Sequence, residues 1–305
     1  MNFIIKQAQA QQRIDNFLIK SIKGVPKSCI YRLLRKGAIR VNRKRIKSDY
    51  RIQESDEITV PNLRLSQITK VTPGRRLQQL LENAIIHEDD DILVINKPCG
   101  IAAHAGSGND FGVIEIMRAS RGTEEALELV HRLDKETSGC LLIAKNRSIL
   151  LRLQQAFQQN QVEKHYLLLV NGLWPNALKE INKPLAKNSR SSGEHLVRSN
   201  DEGKPALTKF RIVQRFSSWT LLEACPETGR THQIRVHAAE SGYPIAGDKK
   251  YGDKTCRQLN QSVGLSRLFL HAQSLTINLV NPTKKYYFSA EIEQNLSDVL
   301  KNLAK

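Results

Sequence analysis

The stretch HRLDKETSG, His131 to Gly139, decides how the chain is read. One carboxylate, Asp134, stands behind His-Arg-Leu and ahead of a turn of small polar residues. Leu127, Leu129 and Val130 lead into it, and Leu141-Leu142-Ile143-Ala144 follows at once. The pattern predicts strand, polar turn, strand. An acid with a basic neighbour between two buried strands has a pinned position, which a catalytic group requires. A plain hairpin, in which Asp and Ser bond their own backbone, accounts for the same residues. The choice between the two depends on the rest of the chain.

The chain has 305 residues, enough for two domains, with 40% hydrophobic and 25% charged residues. A net charge of +17 points to a polyanionic partner: RNA, DNA or an anionic membrane surface. No apolar run approaches the ~20 residues of a spanning helix. The start, MNFIIKQAQAQQR, has too short an apolar patch for a secretory signal. Cys29, Cys99, Cys140, Cys225 and Cys256 are scattered and form no CxxC pair. That suits a reducing cytoplasm and argues against a zinc site or a disulfide frame. Cys140 and Cys225, amid apolar neighbours, are expected in the core.

Residues 1–64 hold 15 Lys and Arg against 5 Asp and Glu, which gives +10 of the +17. Ile14, Phe17, Leu18 and Ile22 have helical spacing, stopped near Gly24. A second helix opens at Pro26 and Ser28 and ends at Gly37. It turns Ile30, Leu33 and Leu34 inward and Arg32, Arg35 and Lys36 outward. Ile39, Val41 and Ile46 then alternate with basic residues in a hairpin whose tip is Asn42–Lys44, so Arg43, Lys44 and Arg45 are candidate RNA contacts. The strand Glu57–Val60 closes the unit. A helix-turn-helix DNA binder is the competing reading, which the basic hairpin fits poorly. Residues 65–85 have weak periodicity and read as a linker or arm.

Farther on, Asn96-Lys97-Pro98-Cys99-Gly100 demands a turn, in which Lys97 is a turn lysine or a phosphate contact. Ile149, Leu150, Leu153 and Phe157 share one helical face. Tyr166 sits where a charged strand start meets an apolar run, a place for a ring with a polar tip. Residues 183–206 read as a basic loop or hairpin, and Thr208–Val213 pairs with Trp219–Ala224. Thr231 is expected to cap a helix over His232–Ser241 that carries Ile234 and Arg235. An Arg at the edge of a buried helix face seeks a carboxylate, and Asp134 is a candidate. A strand pair, Leu268–Leu279 with Tyr286–Glu291, and a short helix close the chain.

HRLDKETSG, KHYLLLV and ETGRTHQIRVH followed by GYPIAGDKKYG, in this order, resemble the RluA-type pseudouridine synthases, as do NKPCGIAAHAG and LFLHA. The N-terminal segment, 12–64, resembles the αL RNA-binding domain of ribosomal small-subunit protein four. The resemblance implies an α+β fold: a mixed, largely antiparallel central sheet flanked by helices over 86–305, with a small N-terminal α/β RNA-binding domain. It implies isomerisation of uridines in large-subunit ribosomal RNA, or in another RNA for a sister branch, by a cytoplasmic monomer that needs no cofactor, metal or membrane.

By the same likeness Asp134 is the catalytic aspartate, Tyr166 stacks on the target base and removes a proton, and Arg235 pairs with the aspartate. Arg132 enters the space a flipped base leaves, and Ile234 and Leu270 line the uracil pocket. A carboxylate suits a reaction at a departing sugar carbon, as in glycosidases, whether it attacks the sugar or takes a proton. Flipping the base costs a few kcal/mol, and an aromatic ring against it returns ~1–3 kcal/mol. A non-catalytic RNA-binding assembly factor and a base-excising glycosylase are the rival classes.

Overall fold

A computed structural model describes residues 1–22, 24–61, 72–106, 110–122, 126–189, 195–252, 264–280 and 283–305. Cys256, part of the 65–85 segment and the 190–194 tip of the basic hairpin lie outside the described residues. The chain divides into two compact units, Met1–Thr72 and Pro73–Lys305.

The first unit contains β1 (Asn2–Ile4), α1 (Ile14–Ser21), α2 (Lys27–Lys36), β2 (Arg40–Val41), β3 (Lys44–Arg45) and β4 (Glu57–Thr59). Its four strands lie in the order β1-β4-β2-β3. Strand β1 falls before the segment expected to bind RNA, yet it pairs antiparallel with β4. Ile14, Leu18, Ile30, Leu34, Ile39, Val41 and Ile58 make the core, as their spacing predicts. Gly37 ends α2 in the left-handed conformation. Asn42 and Arg43, both at positive φ, make the tight turn between β2 and β3. Buried Asp56 holds this turn through Asn42 Nδ2 at 2.8 Å and Tyr50 Oη at 3.0 Å.

The second unit begins with α3 (Arg75–Glu82), where the pattern suggested a linker. Leu77, Leu80 and Leu81 share one face of this helix, but only Leu81 is buried, against Leu93 and Ile95. Next come β5 (Ile85–Glu88), β6 (Ile92–Lys97), α4 (Val113–Arg121), β7 (Glu128–Leu129), β8 (Ser138–Ala144) and α5 (Arg147–Gln158). They are followed by β9 (Val162–Asn171), β10 (Glu180–Asn182), β11 (Leu185–Ser189), β12 (His195–Ser199), β13 (Leu207–Arg215) and β14 (Trp219–Pro226). The chain closes with α6 (Gln233–Glu240), β15 (Leu270–Val280), β16 (Thr283–Ser289) and α7 (Gln294–Leu303).

Ten strands form one sheet with the main path β10-β13-β14-β9-β15-β8-β6-β5, while β11 and β12 form a separate hairpin. All its pairings are antiparallel except β15 with β8. The run Leu141–Ala144 is buried on both faces, because α5 packs under Leu142 and α4 over Leu141 and Ile143. In the other half, α6 covers Leu168 and Ala224, and α7 covers Leu167 and Leu221. Cys140 lies in the core as expected, but Cys225 does not. Alternation along β14 sends Ala224 inward and turns Cys225 toward His165, Sγ to Nδ1 3.2 Å.

Candidate active site

Asp134 sits in the loop between β7 and β8, one-fifth exposed. The loop is closed by Thr137 N–H donating to Asp134 O at 3.1 Å. Gly139 at its far end has φ +110°, and a Cβ there would stand 2.2 Å from Ala272 O of the parallel strand β15. Only glycine admits so close an approach, and it fixes where β8 starts relative to β15.

The loop is also braced from beneath. Lys97 is fully buried, and its ammonium donates to Pro98 O (2.9 Å), Ile101 O (2.8 Å) and Lys135 O (3.3 Å). Three carbonyls match three N–H donors, so the side chain holds the loop and does not face a phosphate. Burial lowers its pKa to about 8. Ser138 Oγ accepts from Arg267 Nη2 at 2.8 Å and lies 2.9 Å from His271 Nδ1, while His271 Nε2 reaches Ala290 O at 2.9 Å. A carbonyl can only accept, so Nε2 carries the proton and Ser138 donates to Nδ1. Arg267 also pairs with Glu293 at 2.7 Å.

Arg235 on α6 brings Nη1 to 4.0 Å from Asp134 Oδ2, but its main partner is a different carboxylate. Its Nε and Nη2 donate to Asp248 at 2.7 and 2.8 Å, a buried bidentate pair. The expected Arg235–Asp134 pairing is therefore secondary to Arg235–Asp248. Asp248 follows Gly247, whose φ is +76° and whose Cβ would collide with Arg267 O at 1.9 Å. The Lys250 and Tyr251 amides donate to Asp248 Oδ1 as well. Burial opposes both charges, yet their mutual hydrogen bonds hold Asp248 below and Arg235 above their ordinary values. The ring of Tyr251 stacks 5.2 Å from the Arg235 guanidinium.

Helix α6 starts differently from its expected form. Its N-cap is His232, not Thr231, with φ +54° and no side-chain cap. The Gln233 side chain ties the preceding turn instead, accepting from Thr228 Oγ1 at 2.7 Å and Arg230 N at 3.0 Å. A non-glycine residue in the left-handed region is uncommon and marks a site held by its surroundings. His232 Nε2 lies 3.8 Å from Asp134 Oδ2.

A cavity of about 270 Å³ opens on one side of Asp134, lined by Tyr166, Ile234, Leu270, Thr137, Arg132 and the 228–231 turn, among others. A second, of about 470 Å³, lies on its other side with His104, Lys135, Lys249 and Lys250 on the wall. Asp134, Arg132, His232 and Arg235 line both. The structure thus gathers Asp134, Tyr166, Arg235, Arg132, Ile234 and Leu270 into one place, with Arg132 exposed at the mouth and Ile234 and Leu270 buried. Burial, and secondarily the Asp134 charge, pushes the Tyr166 phenol up, so it stays protonated at neutral pH. His131 does not enter the chemistry: its Nε2 accepts from Leu142 N at 3.1 Å, its ring stacks on Phe157, and burial lowers its pKa to about 4.

Among the described residues, His165, Glu223 and Cys225 are grouped closely enough to hold a cation. Arg211 already pairs with Glu223 at 3.1 Å, and burial pushes the Cys225 thiol up to about 11. In the first unit Arg32, Arg35, Lys36, Arg43, Lys44 and Arg45 are all exposed, and Arg35 and Arg45 line an open groove with Arg13, Tyr31 and Lys47. No helix among the described residues is long and apolar enough to cross a membrane.

The family model described as RNA pseudouridylate synthase matches residues 91–240, and the S4 domain matches 12–58. Over 301 residues the chain is 46% identical to the "Ribosomal large subunit pseudouridine synthase C" of Haemophilus influenzae, covering 98% of this chain and 94% of that one. This chain belongs to the RNA pseudouridylate synthase family. The protein of the same name from Escherichia coli K12 is 47% identical over 299 residues, 97% of this chain and 94% of that one. A solved RNA pseudouridylate synthase, "Human RNA Pseudouridylate Synthase Domain Containing 4", superposes with a TM-score of 0.62 at 25% identity, over 75% of this chain and 96% of that one. The fold of this pseudouridine synthase is the expected α+β sheet with a small N-terminal domain.

Sequence reasoning missed Asp248, His232, Lys97 and the Arg267–Ser138–His271 chain as parts of the site. One signal was available for Asp248: a buried Arg235 needs a carboxylate, and Asp248 is the acid in the turn that follows its helix. Nothing comparable marks Arg267, whose partners lie 26 residues ahead at Glu293 and 129 behind at Ser138.

Proposed function

We propose that this pseudouridine synthase isomerises specific uridines of large-subunit ribosomal RNA, acting as a cytoplasmic monomer on free RNA or an assembly intermediate. The observation that carries the reading is the arrangement of Asp134, Tyr166 and Arg235 around one cavity, together with the names borne by relatives of nearly the same length.

The uridine flips out of the RNA, and its base enters between Tyr166, Ile234 and Leu270, while Arg132 at the mouth fills the gap it leaves. Asp134 faces the ribose and serves the carbon from which uracil departs. The detached ring turns within this cavity, against Tyr166, Ile234 and Leu270, and rejoins through carbon 5. Arg235, fixed by Asp248, orients Asp134 from a guanidinium that cannot swing away. Tyr166 stacks on the base as a protonated phenol, so taking the carbon-5 proton requires its own proton to move first. The basic hairpin and α2 of the first unit supply sequence-independent attraction to phosphates.

Two measurements test this. Pseudouridine mapping of large-subunit ribosomal RNA from cells with and without the gene should lose defined sites, and an unchanged map would refute the substrate. Tritium release from 5-labelled uridine in that RNA separates the classes: a synthase releases label, a binding protein does not, and a glycosylase leaves abasic sites.

A further inference from the structure

Three groups face His232 from the elements around it: Asp134 from the β7–β8 loop, Arg235 on its own helix, and the 248–251 turn with Asp248, Lys250 and Tyr251. Its two nitrogens meet different partners. Nδ1 lies 2.7 Å from the Tyr251 hydroxyl, and Nε2 lies 3.8 Å from Asp134 Oδ2. The Tyr251 oxygen also accepts from Val197 N–H of β12 at 3.2 Å. With that lone pair taken, its own hydrogen is free to donate, and Nδ1 is the acceptor within reach. The opposite arrangement would aim a bare Nε2 lone pair at a carboxylate, which is repulsive.

We propose that Tyr251 and His232 form a positioning pair for the isomerisation, in which the Tyr251 hydroxyl fixes the imidazole tautomer so that Nε2–H is presented to Asp134. The imidazole and Arg235 Nη1, at 4.0 Å, both address Oδ2. That leaves Oδ1 to face the sugar, so the pair selects which carboxylate oxygen reacts. The 3.8 Å separation is that of an open site whose hydrogen bond tightens on substrate binding. Burial lowers the imidazole pKa below its ordinary value despite the nearby Asp134 charge, so at neutral pH the tautomer, not a charge, is what the hydroxyl controls. The left-handed backbone at His232 aims the ring, and among residues with a side chain Asn tolerates that conformation well.

The proposal rests on the role given to Asp134 above, but its first test needs no turnover. Long-range proton–nitrogen spectra of the full chain labelled in histidine nitrogens, with His232→Asn identifying the signal, should show His232 as the Nε2–H tautomer at pH 7. An Nδ1–H tautomer overturns the pair, whatever the enzyme does. In single-turnover assays on a large-subunit ribosomal RNA transcript, Tyr251→Phe should slow isomerisation about tenfold, the worth of one hydrogen bond, with RNA affinity within about twofold. His232→Asn should give a similar loss, and the double variant no further loss, because the two act as one unit. An unchanged rate for Tyr251→Phe, or losses that multiply, would overturn it.

Discussion

In residues 1–72 the basic side chains Arg32, Arg35, Lys36, Arg43, Lys44 and Arg45 face solvent, whereas in residues 73–305 Arg235, Lys97 and Arg267, which brace the Asp134 site, are buried and held by fixed partners. The first unit keeps its cations at the surface, where they attract phosphates at long range and are screened by salt. The second spends apolar burial on Arg235–Asp248, Lys97 and Arg267, where each charge is worth what its geometry allows. The difference separates two tasks: capture tolerates imprecision, and chemistry at a sugar carbon does not.

Substitution should split the two tasks. Asp134→Asn should lower turnover by roughly 10⁴-fold or more, read by tritium release, with RNA affinity nearly intact; measurable turnover near the parent rate would remove Asp134 from the mechanism. Asp248→Asn leaves Arg235 buried without its carboxylate and should destabilise the second unit by about 3–5 kcal/mol, seen in denaturant unfolding, with turnover falling in the molecules that remain folded. A fully stable, fully active variant would show that Arg235 needs no fixed partner.

Lys97 gives a test in pH. Its folded pKa is about 8 against an ordinary 10.5, so between those values the unfolded chain holds more protons and stability from this group rises with pH. Activity should move the other way. Above pH 8 the amine has two N–H donors for three carbonyls, the Asp134 loop loosens, and turnover falls without unfolding. Lys97→Met should be less active at neutral pH and lack this alkaline limb. A limb that survives the substitution belongs to another group. The smallest effect on chemistry is expected from Arg43→Gln, Lys44→Gln and Arg45→Gln together. Affinity should weaken and the salt slope flatten by up to about 3, about one for each cation that touches a phosphate, while the saturating rate stays as it was.

Helices α1, α2 and α5, the basic hairpin and the buried strands around His131–Gly139 were legible because apolar residues recur at the helical or strand period, whereas α4 was not picked out. Strand β1 was not legible, since a three-residue edge strand carries too little pattern, and helix α3 was obscured, although Leu77, Leu80 and Leu81 have helical spacing, because its eight residues adjoin the Pro73-Gly74 break. The start of α6 also differed from its expected form: Thr231 has the chemistry of a cap, but Gln233, two residues on, ties the 228–230 turn, and the distant Tyr251 hydroxyl holds the His232 ring.

The opening stretch shows the same division. By itself the sequence determined that Asp134 lies in a polar turn beside a buried strand, that residues 1–64 hold most of the excess positive charge, and, through its motifs, the family. Only the tertiary structure decided that Arg235 is held by Asp248, that Lys97 lies beneath the Asp134 loop, and that His232 points a nitrogen at the carboxylate. Periodicity and turn chemistry act over a few residues and leave their mark in the order of the chain. Which buried charge meets which is settled by how the strands of the sheet and the turn after α6 come together, and residues 13 to more than 100 positions apart then become neighbours.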